Sequence, residues 1–119
     1  ISPEYGIRAG VISIITRALR KNNTLKINLQ QIFFDADGWA EDKESYRLNM
    51  ISKGFNEAFV VNVMNKNEMK ILINFIINHE MGATEYNKLT NKTTTIEKGL
   101  DMAYNYVLSD EYSLKDLVK

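Results

Sequence analysis

The segment from Asn65 to Gly82 constrains the fold most, because it carries signals for both ends of a helix and a broad apolar surface between them. Asn65 and Glu68 have the spacing of a capping box, in which two side chains accept hydrogen bonds from backbone N–H groups at a helix start. Gly82 is placed to end the helix in a left-handed conformation. The apolar residues between these signals are Met69, Leu72, Ile73, Phe75, Ile76 and Ile77. We therefore predict a central, largely buried helix.

Three further segments have the pattern of amphipathic helices. The first begins at Ser2, a candidate cap, and keeps an apolar stripe as far as about Lys21. A second covers residues 41–53 and is closed by Gly54. A last long helix follows a second capping box at 94–97. The predicted inward face of this last helix consists of Ile96, Leu100, Ala103, Tyr104 and Val107.

Three stretches are less regular. In residues 25–34 the apolar positions fit helical spacing, and a minor strand near 25–29 is the alternative. We favour a helix there, capped by Thr24 or Asn28. Residues 55–64 fit a short helix or an extended connection, and residues 83–93 are polar and predict a loop.

Length and composition predict one small all-α domain. The chain has 119 residues, of which 45% are hydrophobic and 25% charged, as in ordinary globular proteins. We place a single helical domain at 1–108 and a C-terminal tail with a short helical turn at 109–119. The longest apolar run, 71–77, is interrupted by Asn74 and is too short to span a membrane. The chain begins without an initiator methionine or a signal-peptide pattern, which suggests part of a longer product.

Charge and residue types exclude several functions. Fifteen basic and fifteen acidic residues cancel and are interspersed, so we expect neither nucleic-acid binding by a helix-turn-helix nor attraction to anionic membranes. A single histidine, His79, excludes a site with several histidine ligands. Asp35, Asp37 and Gly38 look like the start of a calcium loop, but the glutamate required at its twelfth position is missing. We therefore predict no metal site and no cofactor.

Three segments, taken in order, resemble a family of virion structural proteins from tailed phages and prophages that is associated with lysozyme or transglycosylase activity. Residues 2–10, Ser-Pro-Glu-Tyr-Gly-Ile-Arg-Ala-Gly, are similar to the opening helix of that family with its YGIRA segment. Trp39-Ala40 is similar to its WAP turn, with Glu41 in place of the proline, and residues 76–82 are similar to its IIRHENG segment. The chain resembles the C-terminal part of the family. It lacks the Asn-Pro-Gly-Asn-rich segment that longer members carry upstream.

The resemblance implies a small lysozyme-like domain located in the virion and acting at or in the bacterial cell envelope. Its implied partners are other virion proteins and peptidoglycan. The first functional hypothesis is a virion-associated structural domain linked to peptidoglycan binding or processing during infection. The alternative hypothesis is a peptidoglycan-cleaving muramidase or lytic transglycosylase.

Glu80 is the candidate general acid of that alternative. Glycoside cleavage needs a carboxylic acid that stays protonated near neutral pH, and apolar surroundings favour the protonated form. Lysozyme-like folds place such a glutamate at a helix end, which is where Glu80 stands by analogy. The other interpretation is a solvated helix end, capped by Gly82. Asp37 is the candidate second carboxylate.

Four residues are candidates for substrate binding. Arg8 lies off the apolar stripe of its helix, where it could contact a carboxylate or a sugar, or form an ion pair. His79 is either part of the site or a favourable cation at a helix end. Trp39 and Tyr86 could line a saccharide groove, although aromatic residues at such positions more often belong to the core.

Overall fold

A computed structural model describes residues 3–118 and shows a mainly helical chain with a small two-stranded sheet. The all-α prediction with a minor strand is therefore confirmed. The predicted cap at Ser2 lies outside the described residues. In chain order the elements are α1 (Pro3–Asn22), β1 (Lys26–Asn28), a π-helical turn (Gln30–Phe34), α2 (Lys43–Ser52), β2 (Val60–Asn62), α3 (Lys66–Met81), α4 (Ala83–Lys88), α5 (Lys92–Val107) and α6 (Lys115–Val118).

The core is built on the close contact between α1 and α5. The inward stripe of α1 includes Val11 and Ile15, which are fully buried, and α5 contributes Leu100 and Val107. The two helices approach each other closely at Gly99. A Cβ atom there would lie 2.5 Å from Cγ2 of Ile7 and 2.9 Å from the carbonyl oxygen of Glu4. Only a glycine permits this helix spacing without a shift of the backbone or of Ile7.

Helix α3 is central but amphipathic, so the prediction of a largely buried helix is only partly right. Ile71 is 56% exposed. The opposite face buries Met69, Leu72, Ile73, Phe75 and Ile76. Helices α4 and α5 are the main helical neighbours of α3.

The start of α3 uses the two capping side chains differently from the predicted box. Oδ1 of Asn65 accepts a hydrogen bond from the backbone N–H of Glu68 at 3.0 Å, as predicted. The Glu68 carboxylate accepts a hydrogen bond from the backbone N–H of Asn62 at 3.0 Å, and not from that of Asn65. Glu68 therefore ties α3 to the end of β2.

Beyond α3, Gly82 has φ of 81° and ψ of 153°, so it has a positive φ but is not left-handed helical. This extended kink leads directly into α4, and the loop predicted for 83–93 is wrong over Ala83–Lys88. Helix α5 starts at Lys92, before the predicted capping box. Asn91, at a φ of 57°, precedes it without a side-chain cap. These two positive-φ residues, Gly82 and Asn91, lie on either side of α4 and separate it from α3 and α5.

The helix predicted from residue 25 is wrong over Lys26–Asn28, where the alternative of a minor strand is right. Ile27 pairs with Val61 in an antiparallel ladder, and this pairing decides the conformation. In the segment 55–64 the extended alternative is right, because the segment supplies β2. Leu29, and not the predicted Thr24 or Asn28, directly precedes the π-helical turn, and it has no side-chain cap. The Oδ1 of Asn28 does accept a hydrogen bond from the N–H of Gln31 at 2.8 Å.

The helix predicted for residues 41–53 is confirmed as α2, whose ends lie within two residues of the predicted ones. Asp42 caps its start by accepting a hydrogen bond from the N–H of Ser45 at 3.1 Å, and Gly54 follows its end with a φ of 82°. Tyr46 and Met50 face the core. The predicted apolar position Ile51 instead faces solvent.

The segment after α5 packs onto the rest of the chain. Tyr112 and Val118 are buried, and the Tyr112 hydroxyl lies 2.6 Å from Oγ1 of Thr16 on α1. The division into 1–108 and 109–119 stays a prediction. No helix within residues 3–118 combines the length and the apolar character that crossing a membrane requires.

Candidate functional site

A cleft of about 400 Å³ opens between the first turns of α1, the C-terminal half of α3, α4 and the start of α5. Its walls are almost entirely apolar. We call it the apolar cleft. The aliphatic side chains that line it are Ile7, Ile73, Ile76, Ile77, Met81, Leu89 and Ile96. Such a concave, mainly apolar site with a few polar groups has the character of a ligand-binding pocket.

Trp39 forms one aromatic wall of the apolar cleft and packs against α1 at Gly10, where a Cβ atom would lie 3.0 Å from Cη2 of the indole. The turn before Trp39 is fastened to the same helix by ion pairs. Asp37 lies 3.0 Å from Nη1 of Arg17 and 3.1 Å from Nζ of Lys21. The glycine and the ion pairs together position the indole at the cleft.

Glu80 lies at the C-terminal end of α3, is exposed and lines the apolar cleft. Its Oε1 accepts a hydrogen bond from the hydroxyl of Tyr46 on α2. The ring of Tyr46 is only 3% exposed and lies between those of Phe33 and His79, at centroid distances of 5.1 Å and 3.8 Å. The carboxylate is therefore held from the core side by a packed aromatic donor.

Two pKa shifts describe the charge state around these groups. Burial, followed by the hydrogen bond to Glu80 and its charge, raises the pKa of Tyr46 well above its ordinary value. Tyr46 is thus a neutral donor. The hydrogen bond with Lys21, reinforced by the charge of Arg17, lowers the pKa of Asp37. Asp37 therefore stays ionised at neutral pH.

The raised pKa of Tyr46 predicts a loss of stability in alkali. Because the folded state holds the phenol proton more tightly, its stabilising effect is complete below the unfolded pKa of about 10 and falls as pH rises above it. We expect Tyr46→Phe to flatten the decline in the free energy of unfolding as the pH rises above about 10. Urea titrations at several pH values measure this.

Tyr104 provides an independent check on that experiment. Burial also raises its pKa, and its hydroxyl donates to the carbonyl oxygen of Val63 at 3.1 Å. Tyr104→Phe should therefore flatten the same decline, and the double variant should flatten it further. A decline in Tyr46→Phe as steep as in the wild type would contradict the raised pKa of Tyr46.

The other candidates for substrate binding lie in different places. Tyr86 lines the apolar cleft, with Nζ of Lys92 4.2 Å from its ring centroid. His79 is outside the cleft lining, and its Nδ1 lies 2.9 Å from Nδ2 of Asn49. Arg8 is also outside it, with its guanidinium 4.9 Å from the ring centroid of Tyr106. His79 and Arg8 thus make structural contacts.

The fold brings Glu80, Trp39 and Tyr86 to one cleft and places Asp37 outside its lining. Among the residues that line it, Glu80 is the one carboxylate. The described part of the chain holds no group of three or more side chains suited to a metal ion. Sequence reasoning missed Lys92, because it stands in a stretch predicted to be a loop and no motif marks it.

Comparison with known proteins does not identify a family for this chain. No family model, curated protein or solved structure matches the chain. The candidate site is accordingly defined by its own residues and their geometry. The resemblance to virion proteins stays a prediction from the three motif segments.

Proposed function

We propose that the chain is a virion-associated structural domain of a phage or prophage that binds peptidoglycan through the apolar cleft during infection. It would be assembled with other virion proteins and act at the bacterial cell envelope. The observation that supports this is that Glu80, Trp39 and Tyr86, three residues suspected separately from the sequence, line the same cleft. Glu80 and Trp39 also belong to the segments that carry the family resemblance.

The geometry favours binding over cleavage. Glycoside hydrolases generally use two carboxylates that flank the scissile bond, one as acid and one as base or nucleophile. In this cleft Glu80 is the one carboxylate among the lining residues, and Asp37 is held elsewhere by Arg17 and Lys21.

The alternative is a muramidase or lytic transglycosylase that uses Glu80 as its general acid. One observation favours it. The Glu80 side chain lines a cleft whose walls include the rings of Trp39 and Tyr86, and aromatic faces pack well against sugar rings. Binding and cleavage can be separated in one assay.

The assay incubates the purified chain with insoluble peptidoglycan sacculi and follows both sedimentation and turbidity. We expect the wild-type chain to sediment with the sacculi while the turbidity stays constant. Trp39→Ala and Tyr86→Ala should sediment less, because each removes one aromatic wall. Tyr5→Ala is the matched control, since Tyr5 is 57% exposed and does not line the cleft.

Each outcome has a distinct meaning. Clearing of the suspension that is lost in Glu80→Gln would establish the alternative. Absence of sedimentation in the wild type would overturn the proposed function. Equal losses in Tyr5→Ala and Tyr86→Ala would show that the apolar cleft is not the binding site, and circular dichroism checks that each variant is folded.

A further inference from the structure

Two opposite charges in the apolar cleft have no ionic partner. Glu80 and Lys92 both line it, and neither takes part in an ion pair among residues 3–118. Within the part of the chain that the structure describes, the Glu80 carboxylate accepts one hydrogen bond, from Tyr46, although a carboxylate can accept several. Both charges therefore remain able to bind a ligand.

Lys92 is held in position without being neutralised. Its Nζ donates to the carbonyl oxygen of Tyr86 at 3.3 Å and lies over the ring of the same residue. An ammonium group has three donors, so donors remain after this single bond. These contacts with Tyr86 fix the ammonium group beside α4, and Lys92 is itself a lining residue of the cleft.

The remaining lining fits an apolar chain better than a sugar. Apart from Glu80, Lys92 and the backbone, the polar groups on the walls are the hydroxyls of Thr90, Thr95 and Tyr86 and the indole N–H of Trp39. The Tyr86 hydroxyl is already bonded to Asn74. A pyranose ring carries hydroxyl groups around its edge, and each one buried without a partner costs free energy. Methyl and methylene groups lose nothing against these aliphatic walls.

We propose that the cleft binds a short zwitterionic peptide with small apolar side chains, which is the chemistry of the stem peptides of peptidoglycan. A ligand ammonium pairs with Glu80, a ligand carboxylate pairs with Lys92, and the methyl groups lie between them on the aliphatic walls. The cleft volume, about 400 Å³, lies in the range of pockets for small ligands. This inference rests on the proposed function and names the part of peptidoglycan that is recognised.

The experiment titrates acetyl-L-alanyl-γ-D-glutamyl-L-lysyl-D-alanine into the isotope-labelled chain and follows the amide signals by NMR. We expect saturable shifts in residues 80–92. The same peptide with its side-chain amine acetylated and its carboxylates amidated should bind about tenfold more weakly, because both charge pairs are lost. Chitotetraose, a glycan without a peptide, should cause no shifts. This series needs no variant protein.

Substitutions test the two charges separately. Lys92→Met keeps an unbranched apolar stem and removes the ammonium, and Glu80→Gln keeps the shape and removes the charge. Each should weaken binding of the charged peptide by about three- to tenfold and leave that of the neutral peptide unchanged. Lys88→Met is the matched control, because Lys88 is exposed, pairs with Glu85 and does not line the cleft.

The outcomes distinguish this inference from the proposed function. Equal binding of the charged and neutral peptides, or unchanged binding in Lys92→Met, would overturn recognition of a zwitterion. Shifts with chitotetraose and none with the peptide, together with sedimentation on sacculi, would identify a glycan-binding domain, so that only this inference fails. If the peptide causes no shifts and the chain does not sediment with sacculi, both this inference and the proposed function are wrong.

Discussion

Phe33→Ala is expected to lower the free energy of unfolding by about 3–5 kcal/mol, the range for removal of a buried phenylalanine ring. Phe33 has no exposed surface and lies within 6.0 Å, centroid to centroid, of the rings of Phe34, Tyr46 and Phe75. The cavity would open beneath Tyr46, so it would also loosen the support of Glu80. Urea unfolding followed by circular dichroism measures the loss.

Phe59→Ala is the matched control, because Phe59 is 43% exposed and its removal leaves a smaller cavity. Its loss should be less than half that of Phe33→Ala. If the alanine variant does not fold, Phe33→Leu removes less volume and should give a measurable intermediate loss. Equal losses in the free energy of unfolding at Phe33 and Phe59 would show that the rings packed around Phe33 do not organise the core.

Gly99→Ala is expected to destabilise the chain by about 1–3 kcal/mol, the usual effect of overpacking a core. This result runs against helix propensity, which favours alanine over glycine by about 1 kcal/mol inside a helix. The added methyl group would overlap Ile7 and approach the carbonyl oxygen of Glu4, so α1 and α5 must separate. Thermal and urea unfolding report the change.

Gly6→Ala is the paired experiment on α1. A Cβ atom at Gly6 would meet nothing within 4 Å, so helix propensity acts there alone. We expect Gly6→Ala to raise stability by up to about 1 kcal/mol. The two substitutions are chemically identical and should have opposite signs. A gain in stability from Gly99→Ala would show that the helices can separate without loss.

The parts of the fold that the sequence predicts are those governed by neighbouring residues. Helix α3 follows from Asn65 and from the spacing of its apolar residues, and α2 follows from its amphipathic pattern and Gly54. The strand at Ile27 could not be predicted in the same way, because its partner Val61 is distant in sequence and local spacing fits both helix and strand. Long-range pairing decided a conformation that the local pattern left open.

In the candidate site, too, local sequence signals predicted some residues and missed what depends on long-range contacts. Trp39, Glu80 and Tyr86 were selected by residue type and motif, and all three line the cleft. Lys92 was missed because a lysine in a polar stretch has no signal until α4 folds beside it. The catalytic hypothesis for Asp37 arises because the sequence does not show its ion pairs: Arg17 and Lys21 lie on α1, many residues before it. In both cases the missing information was which charges the fold places together.

Glu68 has a further consequence for how the molecule behaves among its own copies. Its carboxylate accepts a hydrogen bond from the N–H of Asn62, and the carbonyl oxygen of Asn62 accepts one from the N–H of Asn65. Both backbone groups of Asn62, which a foreign strand would need for pairing with β2, are therefore occupied. Exposed strand edges of this kind invite edge-to-edge pairing and aggregation. The Glu68 carboxylate in the first turn of α3 therefore blocks the addition of a foreign strand at Asn62, and with it edge-to-edge pairing of two copies at this residue.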